Sequence, residues 1–258
     1  MPLSHYFHLI DTMARMALRA DASNYYLGYI WWVLEPLLYV VVFYIVFDVI
    51  LNAGRSDFLI FLMCGKLPFI WFSKSVNHAS LSLIQGVGLI SKINLPKSLF
   101  PMAIIQEGMY KQSAVFLLLF IVLLANDYVI TATWWYLLPV IIVNYLMIVA
   151  CSLIGASLVC VVRDFSMVIA LGMIFLMFTS GIFWDVRELN DPKMIELVLE
   201  LNPLAFVLDA YRQILMHNAA PNLPHLLAIG VGASAAAYAM VLIMRRASQY
   251  LALKALTA

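Results

Sequence analysis

Residues 134–162 read WWYLLPVIIVNYLMIVACSLIGASLVCVV, and none of these side chains carries a formal charge. As a helix, at about 1.5 Å per residue, this stretch outreaches the roughly 30 Å hydrocarbon core of a bilayer, leaving room for tilt. It shows no strict alternation of apolar and polar residues, so it does not read as a barrel strand. In lipid every backbone amide must find its partner within the segment, and a helix does that. The stretch therefore reads as a transmembrane helix, and the rest of the chain is interpreted around it.

Five further apolar runs flank it. Their expected limits are 31–51, 58–77 (kinked near Pro68), 103–125, 165–184 and 224–244. Of the 258 residues 65% are apolar and 11% charged, with mean hydropathy +0.97, too little polar surface to keep a soluble domain in water. The expected fold class is an all-α membrane protein: six transmembrane helices in one domain spanning 1–258. With six spans the two termini and alternate loops share a side. That side carries Arg15, Arg19, Lys74, Lys92, Lys97, Arg163, Arg245, Arg246 and Lys254. The other carries Arg55, Arg187, Lys193 and Arg212. The basic excess marks the first side, and both termini, as cytoplasmic. The first thirty residues hold Asp11, Arg15, Arg19 and Asp21, so no cleavable signal peptide is read there and the first span is expected to direct insertion.

Residues 1–30 hold an amphipathic helix. Tyr6, Leu9, Ile10, Met13, Met16, Ala17 and Ala20 fall on one side, and His8, Asp11, Thr12, Arg15 and Arg19 on the other. Such a helix lies in the membrane interface or packs on a partner. On the far side, residues 185–223 contain two short amphipathic helices broken at Asn202-Pro203. The second sets Leu204, Leu208, Tyr211 and Leu215 in a stripe, with Asp209, Arg212 and Gln213 expected to face away. Neither is long enough to span. A re-entrant hairpin fits them, and an external cap is the alternative.

Catalytic chemistry finds little purchase here. Gly65-Lys66 is followed by Leu67 inside a span, so it is no phosphate loop. His5, His8, His78, His217 and His225 are dispersed, and Cys64, Cys151 and Cys160 lie in apolar runs without metal-ligand spacing. No nucleophile has a neighbouring base, which argues against an enzyme, and the net charge of +1 implies no nucleic-acid partner. The residues that membrane physics singles out are the charges within spans. Glu107 and Lys111, four apart, make a helical ion pair or a substrate contact. Glu35 precedes Pro36, and Lys66 and Asp48 are candidates for a water-filled cavity. In span one Trp32, Tyr39, Phe43 and Phe47 follow one helical face. They read either as a sliding surface for sugar rings or as ordinary bilayer aromatics, as Trp134, Trp135 and Tyr136 do.

Four motifs then carry a resemblance. They are Asn24-Tyr25-Tyr26-Leu27-Gly28-Tyr29-Ile30-Trp31 with Leu34-Glu35-Pro36-Leu37; Leu89-Ile90-Ser91-Lys92-Ile93-Asn94-Leu95-Pro96 with Leu99-Phe100-Pro101; Arg163-Asp164-Phe165; and Leu201-Asn202-Pro203-Leu204 with Tyr211-Arg212. In that order they resemble the type-2 ABC transporter permeases that export O-antigen, capsule or teichoic acid polysaccharides. The resemblance implies a permease of the bacterial inner membrane that works as a homodimer with two copies of a separate ABC ATPase. ATP and Mg would be held by that partner, with no cofactor in this chain. A lipid-linked glycan would enter from the cytoplasm and pass between the two copies, with Trp32, Tyr39, Phe43 and Phe47 as candidate pathway residues. It further implies a coupling helix over Ser82 to Ile93 docking into the ATPase, with Gly86, Gly88, Leu89 and Ile90 in it and Lys92, Pro96 and Lys97 at its flank. Gly86 and Gly88 allow a turn or a close backbone approach, and Pro96 and Pro101 are expected to end the helix before span three. Asn202, Pro203, Tyr211 and Arg212 would belong to the outer re-entrant segment. The stretch from Arg19 to Asn24 departs from many relatives in being less basic, with Asp21 in it. The competing readings are a drug or lipid exporter on the same skeleton, and a membrane scaffold that transports nothing.

Overall fold

A computed structural model describes residues 3–50, 57–93 and 95–257. Arg55, Asn94 and the Asp48 side chain lie outside the described residues, with the readings placed on them. Among the described residues every regular element is helical. In chain order they are α1 (Leu3–Ser23), α2 (Trp31–Tyr44, continued by a π-helical turn Ile45–Ile50), α3 (Phe58–Ser80), α4 (Ser82–Gln85) and α5 (Val87–Ile90). There follow α6 (Leu99–Ala125), α7 (Leu137–Val161), α8 (Phe165–Thr179), α9 (Pro192–Leu201), α10 (Pro203–Leu215), α11 (Leu223–Arg246) and α12 (Ser248–Thr257).

Five of these segments are long and apolar enough to cross a membrane: Gly28–Phe47, Phe58–Ser80, Leu99–Ala125, Ala132–Val161 and Leu223–Arg246. The expected fifth run, 165–184, is not one of them. Its residues stay apolar through Trp184, but the helix stops at Thr179 because Gly181 takes φ 69°, a left-handed conformation that ends a helix. The 15 residues of α8 cover only about 22 Å. Span three differs in the other direction. Pro101 does not precede α6 but sits in its first turn, where a missing N–H costs nothing, so the helix begins at Leu99.

Packing in lipid is driven by close fit rather than by the hydrophobic effect. α3 lies at the centre, with 78% of its most apolar window covered, whereas α2 has only 11% covered and runs along the margin. Small residues set the crossings. A Cβ on Gly155 would lie 3.2 Å from Ser80 of α3 and from Ile169 of α8, and one on Gly230 of α11 would lie 3.0 Å from Val143 of α7. The Cys160 thiol, at the other end of α7, donates to the Leu251 carbonyl of α12 at 3.3 Å. α7 and α11 therefore run parallel. Thr131 meets Asn218 at 2.7 Å at the end where both helices start. The chain must return across the bundle between Val162 and Asn218, the stretch that holds α8, α9 and α10.

α1 packs on its own bundle. Its buried stripe is Ile10, Ala14, Leu18 and Ala22, not the expected stripe around Met16, which is exposed. The alanines let α1 approach α6, where Tyr6 hydroxyl pairs with Ser98 Oγ at 3.0 Å and Tyr110 donates to Asp11. α10 departs more sharply from expectation. Asp209, Arg212 and Gln213 were to face away from the apolar stripe, yet every residue from Leu204 to Leu215 is buried. The helix is enclosed because these polar groups find partners inside the bundle.

The expected coupling helix over Ser82 to Ile93 is two short pieces, α4 and α5, joined at Gly86. The two glycines differ. A Cβ at Gly86 would sit 2.5 Å from the ring of Phe100, which is itself buried, while one at Gly88 would meet nothing within 4 Å. Gly86 is required by close approach to α6, and Gly88 is not. Gly86→Ala is expected to cost roughly 1–3 kcal/mol through overpacking. Gly88→Ala is expected to be neutral or slightly stabilising. Thermal unfolding of the two variants in detergent checks the contrast.

Candidate functional site

Glu35, Lys74, Glu107 and Lys111 gather with Asp21 at one cavity of about 340 Å³ between α1, α2, α3 and α6. Lys111 stands at its centre. Its ammonium lies 2.8 Å from Glu107 one turn earlier, 2.7 Å from Asp21 at the end of α1, and 5.5 Å from the Trp32 ring centre. Trp32 donates its indole N–H to the same Asp21 oxygen at 3.0 Å. Nearby, Lys74 of α3 pairs with Glu35 of α2 at 2.6 Å. The Glu107–Lys111 pair is thus one part of a larger network that ties α1 and the loosely packed α2 to the bundle. Partial burial pushes the Asp21 carboxyl up, but the Lys111 hydrogen bond and charge, with the Trp32 N–H, outweigh it and hold the group below the usual carboxylate range.

The expected aromatic stripe divides along α2. Trp32 belongs to this inner network, and Tyr39 is exposed on the free face of the helix. Phe43 and Phe47 turn into a second cluster, with ring centres 4.7 and 4.8 Å from that of Phe183 in the turn after α8. Lys66 of α3 joins them, its ammonium 4.4 Å from the Phe43 ring centre and 2.9 Å from the Met177 sulfur. Ring faces attract an ammonium through the ring quadrupole, the cation–π contact. Phe183 and Met177 are residues that sequence reasoning missed. Nothing in an uninterrupted apolar run shows that the chain turns back on α2 there.

At the far end the segment holding α10 is clamped. Asn202 caps α10, its side-chain oxygen accepting from the Leu204 and Ala205 amides at 3.1 Å, while its Nδ2 donates to Ser180 Oγ at 3.0 Å. Pro203 follows at the first helical position, where its fixed φ suits the helix. Arg212 reaches out of α10 to donate to the carbonyls of Gly181 (2.6 Å), Ile182 (3.1 Å) and Phe61 (3.3 Å), with its guanidinium 3.6 Å from the Phe61 ring centre. A Cβ on Gly65 would collide with Arg212 Nη2, so a side chain there would displace the guanidinium from its carbonyl partners. Tyr211 is buried beside Asn144 of α7. Asp209 takes a forked contact from Arg187 (2.9–3.2 Å) and another from Gln213 at 2.5 Å.

Of the residues placed at the coupling surface, Leu89, Lys92 and Ile93 are exposed at the end of α5. Ile90 is buried, and so is Lys97, at 4% exposure. Lys97 therefore does not present its charge on an open flank as expected, because the turn at Pro96 folds it under α12. Among the described residues no three of His, Cys, Asp and Glu gather as metal ligands.

Residues 10–216 match the ABC-2 type transporter family. The chain is 24% identical over 229 residues to the O-antigen export system permease protein RfbA of Myxococcus xanthus, covering 88% of this chain and 87% of the relative. It is 23% identical over 217 residues to the protein of the same name from Klebsiella pneumoniae, covering 83% of each. To the polysialic acid transport protein KpsM of Escherichia coli it is 26% identical over 215 residues, covering 80% of this chain and 81% of the relative.

Proposed function

The chain belongs to the ABC-2 type transporter family, and from that premise we propose that it is the permease subunit of an ATP-driven polysaccharide exporter. The observation that carries this reading is the near full-length likeness to relatives named for O-antigen export and polysialic acid transport. The substrate is then a lipid-linked glycan leaving the cytoplasm, and the energy comes from an ABC ATPase that holds ATP and Mg on a separate chain. The protein sits in the bacterial inner membrane with both termini inside, which agrees with the basic residues at the α5, α11 and α12 end.

The sixth crossing is α8 together with the turn at Gly181 and the buried α10. The parallel course of α7 and α11 supports it, since the chain has to return between them. α10 is then a re-entrant helix whose polar groups are satisfied within the protein, the condition for irregular backbone at membrane depth. α9, which buries none of its residues, lies on the outer surface. Among the candidate spans α2 has most free surface, and in a homodimer that face would meet the second copy across the pathway, with Tyr39 on it and Phe43 and Phe47 behind. The exposed end of α4–α5 is the dock for the ATPase.

The test is ATP turnover by the permease and its ATPase reconstituted in lipid, with wild type compared against Lys92→Glu. A stable complex is expected, with turnover lowered at least about ten-fold by the reversal, the scale of a lost charge pair at an interface. A chain that binds no ATPase, and is indifferent to the reversal, would leave the scaffold reading in its place. Uptake of lipid-linked glycan into inside-out vesicles separates a glycan exporter from a drug or lipid exporter.

A further inference from the structure

At the cytoplasmic end, α5 and α12 border a groove of about 300 Å³, which shares Lys92 and Ile93 with the face assigned to the ATPase. Its walls are Ser91, Lys92, Lys97, Ser248, Gln249 and Ala252. Lys97 is 4% exposed, and among the described residues no hydrogen bond or ion pair reaches it. Its ammonium opens on the groove with no counter-charge, so an anion seated there would complete the site. None of the residues lining the groove is acidic. Residues 87–98 and 226–258 contain no Asp or Glu, while they supply Lys92, Lys97, Arg245, Arg246 and Lys254.

The geometry points to a binding site for the phosphate of an anionic glycerophospholipid headgroup. Two cations and the Ser248 hydroxyl offer the donors a phosphate diester takes, the Ser91 hydroxyl being already engaged with the Gly88 carbonyl, and no lining residue is acidic. A lipid is favoured over a soluble anion or an acidic protein side chain by what borders the groove. α12 follows directly on the span α11, buries Leu251 and Ala255 toward the bundle, and leaves Tyr250, Leu253 and Leu256 exposed along its other side. An apolar stripe beside a basic groove at the end of a span is the arrangement of an interfacial helix, with acyl chains on the stripe and the headgroup in the groove. A headgroup seated there joins the segment between α3 and α6 to the C-terminal helix. The assignment of the groove to the cytoplasmic leaflet rests on the proposed orientation, but binding in detergent does not.

The test uses the complete permease–ATPase complex in detergent. Dioleoyl-phosphatidylglycerol, dioleoyl-phosphatidylcholine and inorganic phosphate are the probes, with retained lipid read by native mass spectrometry. Phosphatidylglycerol is expected to be retained over phosphatidylcholine at about one per chain. Lys97→Gln is expected to lower that retention at least about ten-fold, and Lys97→Arg to keep most of it. Because Lys97→Gln perturbs a buried position, Ser248→Asp provides a second variant. A carboxylate on the groove wall supplies Lys97 with an internal partner, so the unfolding temperature should hold or rise while lipid retention falls. Retention unchanged in both variants overturns the site. Complete displacement of phosphatidylglycerol by millimolar phosphate shows a soluble anion as the ligand and overturns the lipid assignment. Loss of the ATPase from the Lys97→Gln complex with lipid retention intact shows the groove to be a protein contact instead. None of these readouts depends on glycan transport, so failure here is separable from failure of the transport reading.

Discussion

Arg212→Ala is expected to destabilise the protein by roughly 3–5 kcal/mol, the scale seen when one member of a buried, hydrogen-bonded charged group is removed. That is a large share of the 5–15 kcal/mol that typically separates folded from unfolded domains. The guanidinium joins three parts of the fold at once: α10, which carries it; the Gly181–Ile182 turn after α8; and the start of α3 at Phe61. Its removal leaves two turn carbonyls unsatisfied and opens a void against the Phe61 ring. Arg212→Lys is expected to recover only a minor part, because an ammonium lacks the planar fork that reaches separate carbonyls and lies flat on a ring. The decisive measurement pairs the alanine change with Gly65→Ala. In the native background the added methyl collides with Arg212 Nη2 and is expected to destabilise strongly; in the Arg212→Ala background the collision is gone. Thermal unfolding of the four proteins should therefore be non-additive, with a coupling above about 1 kcal/mol. Equal cost of Gly65→Ala in both backgrounds would show that Arg212 does not fill that space.

That clamp also marks where the sequence stops being readable. The long spans are legible because lipid imposes one rule on every residue of a crossing helix, and 134–162 obeys it without interruption. The end of α8 is not legible. Ile182, Phe183 and Trp184 continue the apolar run, and only the backbone angle of Gly181 shows that the helix has ended. Periodicity within α10 placed Asp209, Arg212 and Gln213 on an outward face. A helical stripe reports which side is apolar, but it does not report whether the polar side has been given partners from α3, the Gly181 turn and Arg187. Lys97 and Gly86 carry the same lesson at the other end. Their surroundings come from α12 and from Phe100, which are distant in sequence or hidden by the turn between them. The charges within spans are the intermediate case. Glu107, Lys111, Glu35 and Lys66 are conspicuous in the sequence for their cost in hydrocarbon, but their partners are set by helix packing. Asp21, which stood out only as a departure from a basic pattern, is the one that completes the inner network.

This network permits a test of whether Lys111 serves the fold or the substrate. Lys111→Met leaves Asp21 and Glu107 facing the cavity without their shared cation and frees the Trp32 indole from one side of its contact. The three side chains are partly accessible, so the expected loss is roughly 1–3 kcal/mol, below that of a fully buried pair. Transport should fall with it, because α2 holds to the bundle at its inner end chiefly through Trp32–Asp21 and Glu35–Lys74. The triple variant Asp21→Asn, Glu107→Gln, Lys111→Met neutralises Lys111 and both its carboxylate partners while keeping their volume, and leaves Glu35–Lys74 in place. If the network is structural, the neutral set restores most of the unfolding temperature, and glycan transport returns with it. If Lys111 or Glu107 contacts the moving glycan, stability returns and transport does not. The pH dependence supplies an independent check. The folded-state pKa of Asp21 is lowered, so its contribution is complete above the ordinary carboxylate range and fades only as pH falls through the depressed value. Wild type should therefore show no loss from this group between about pH 8 and pH 5. Because His78 lines the same cavity, the reading is the difference between wild type and Asp21→Asn, and a difference that shrinks with acid in that window would mean that Asp21 is not held by Lys111 as the geometry requires.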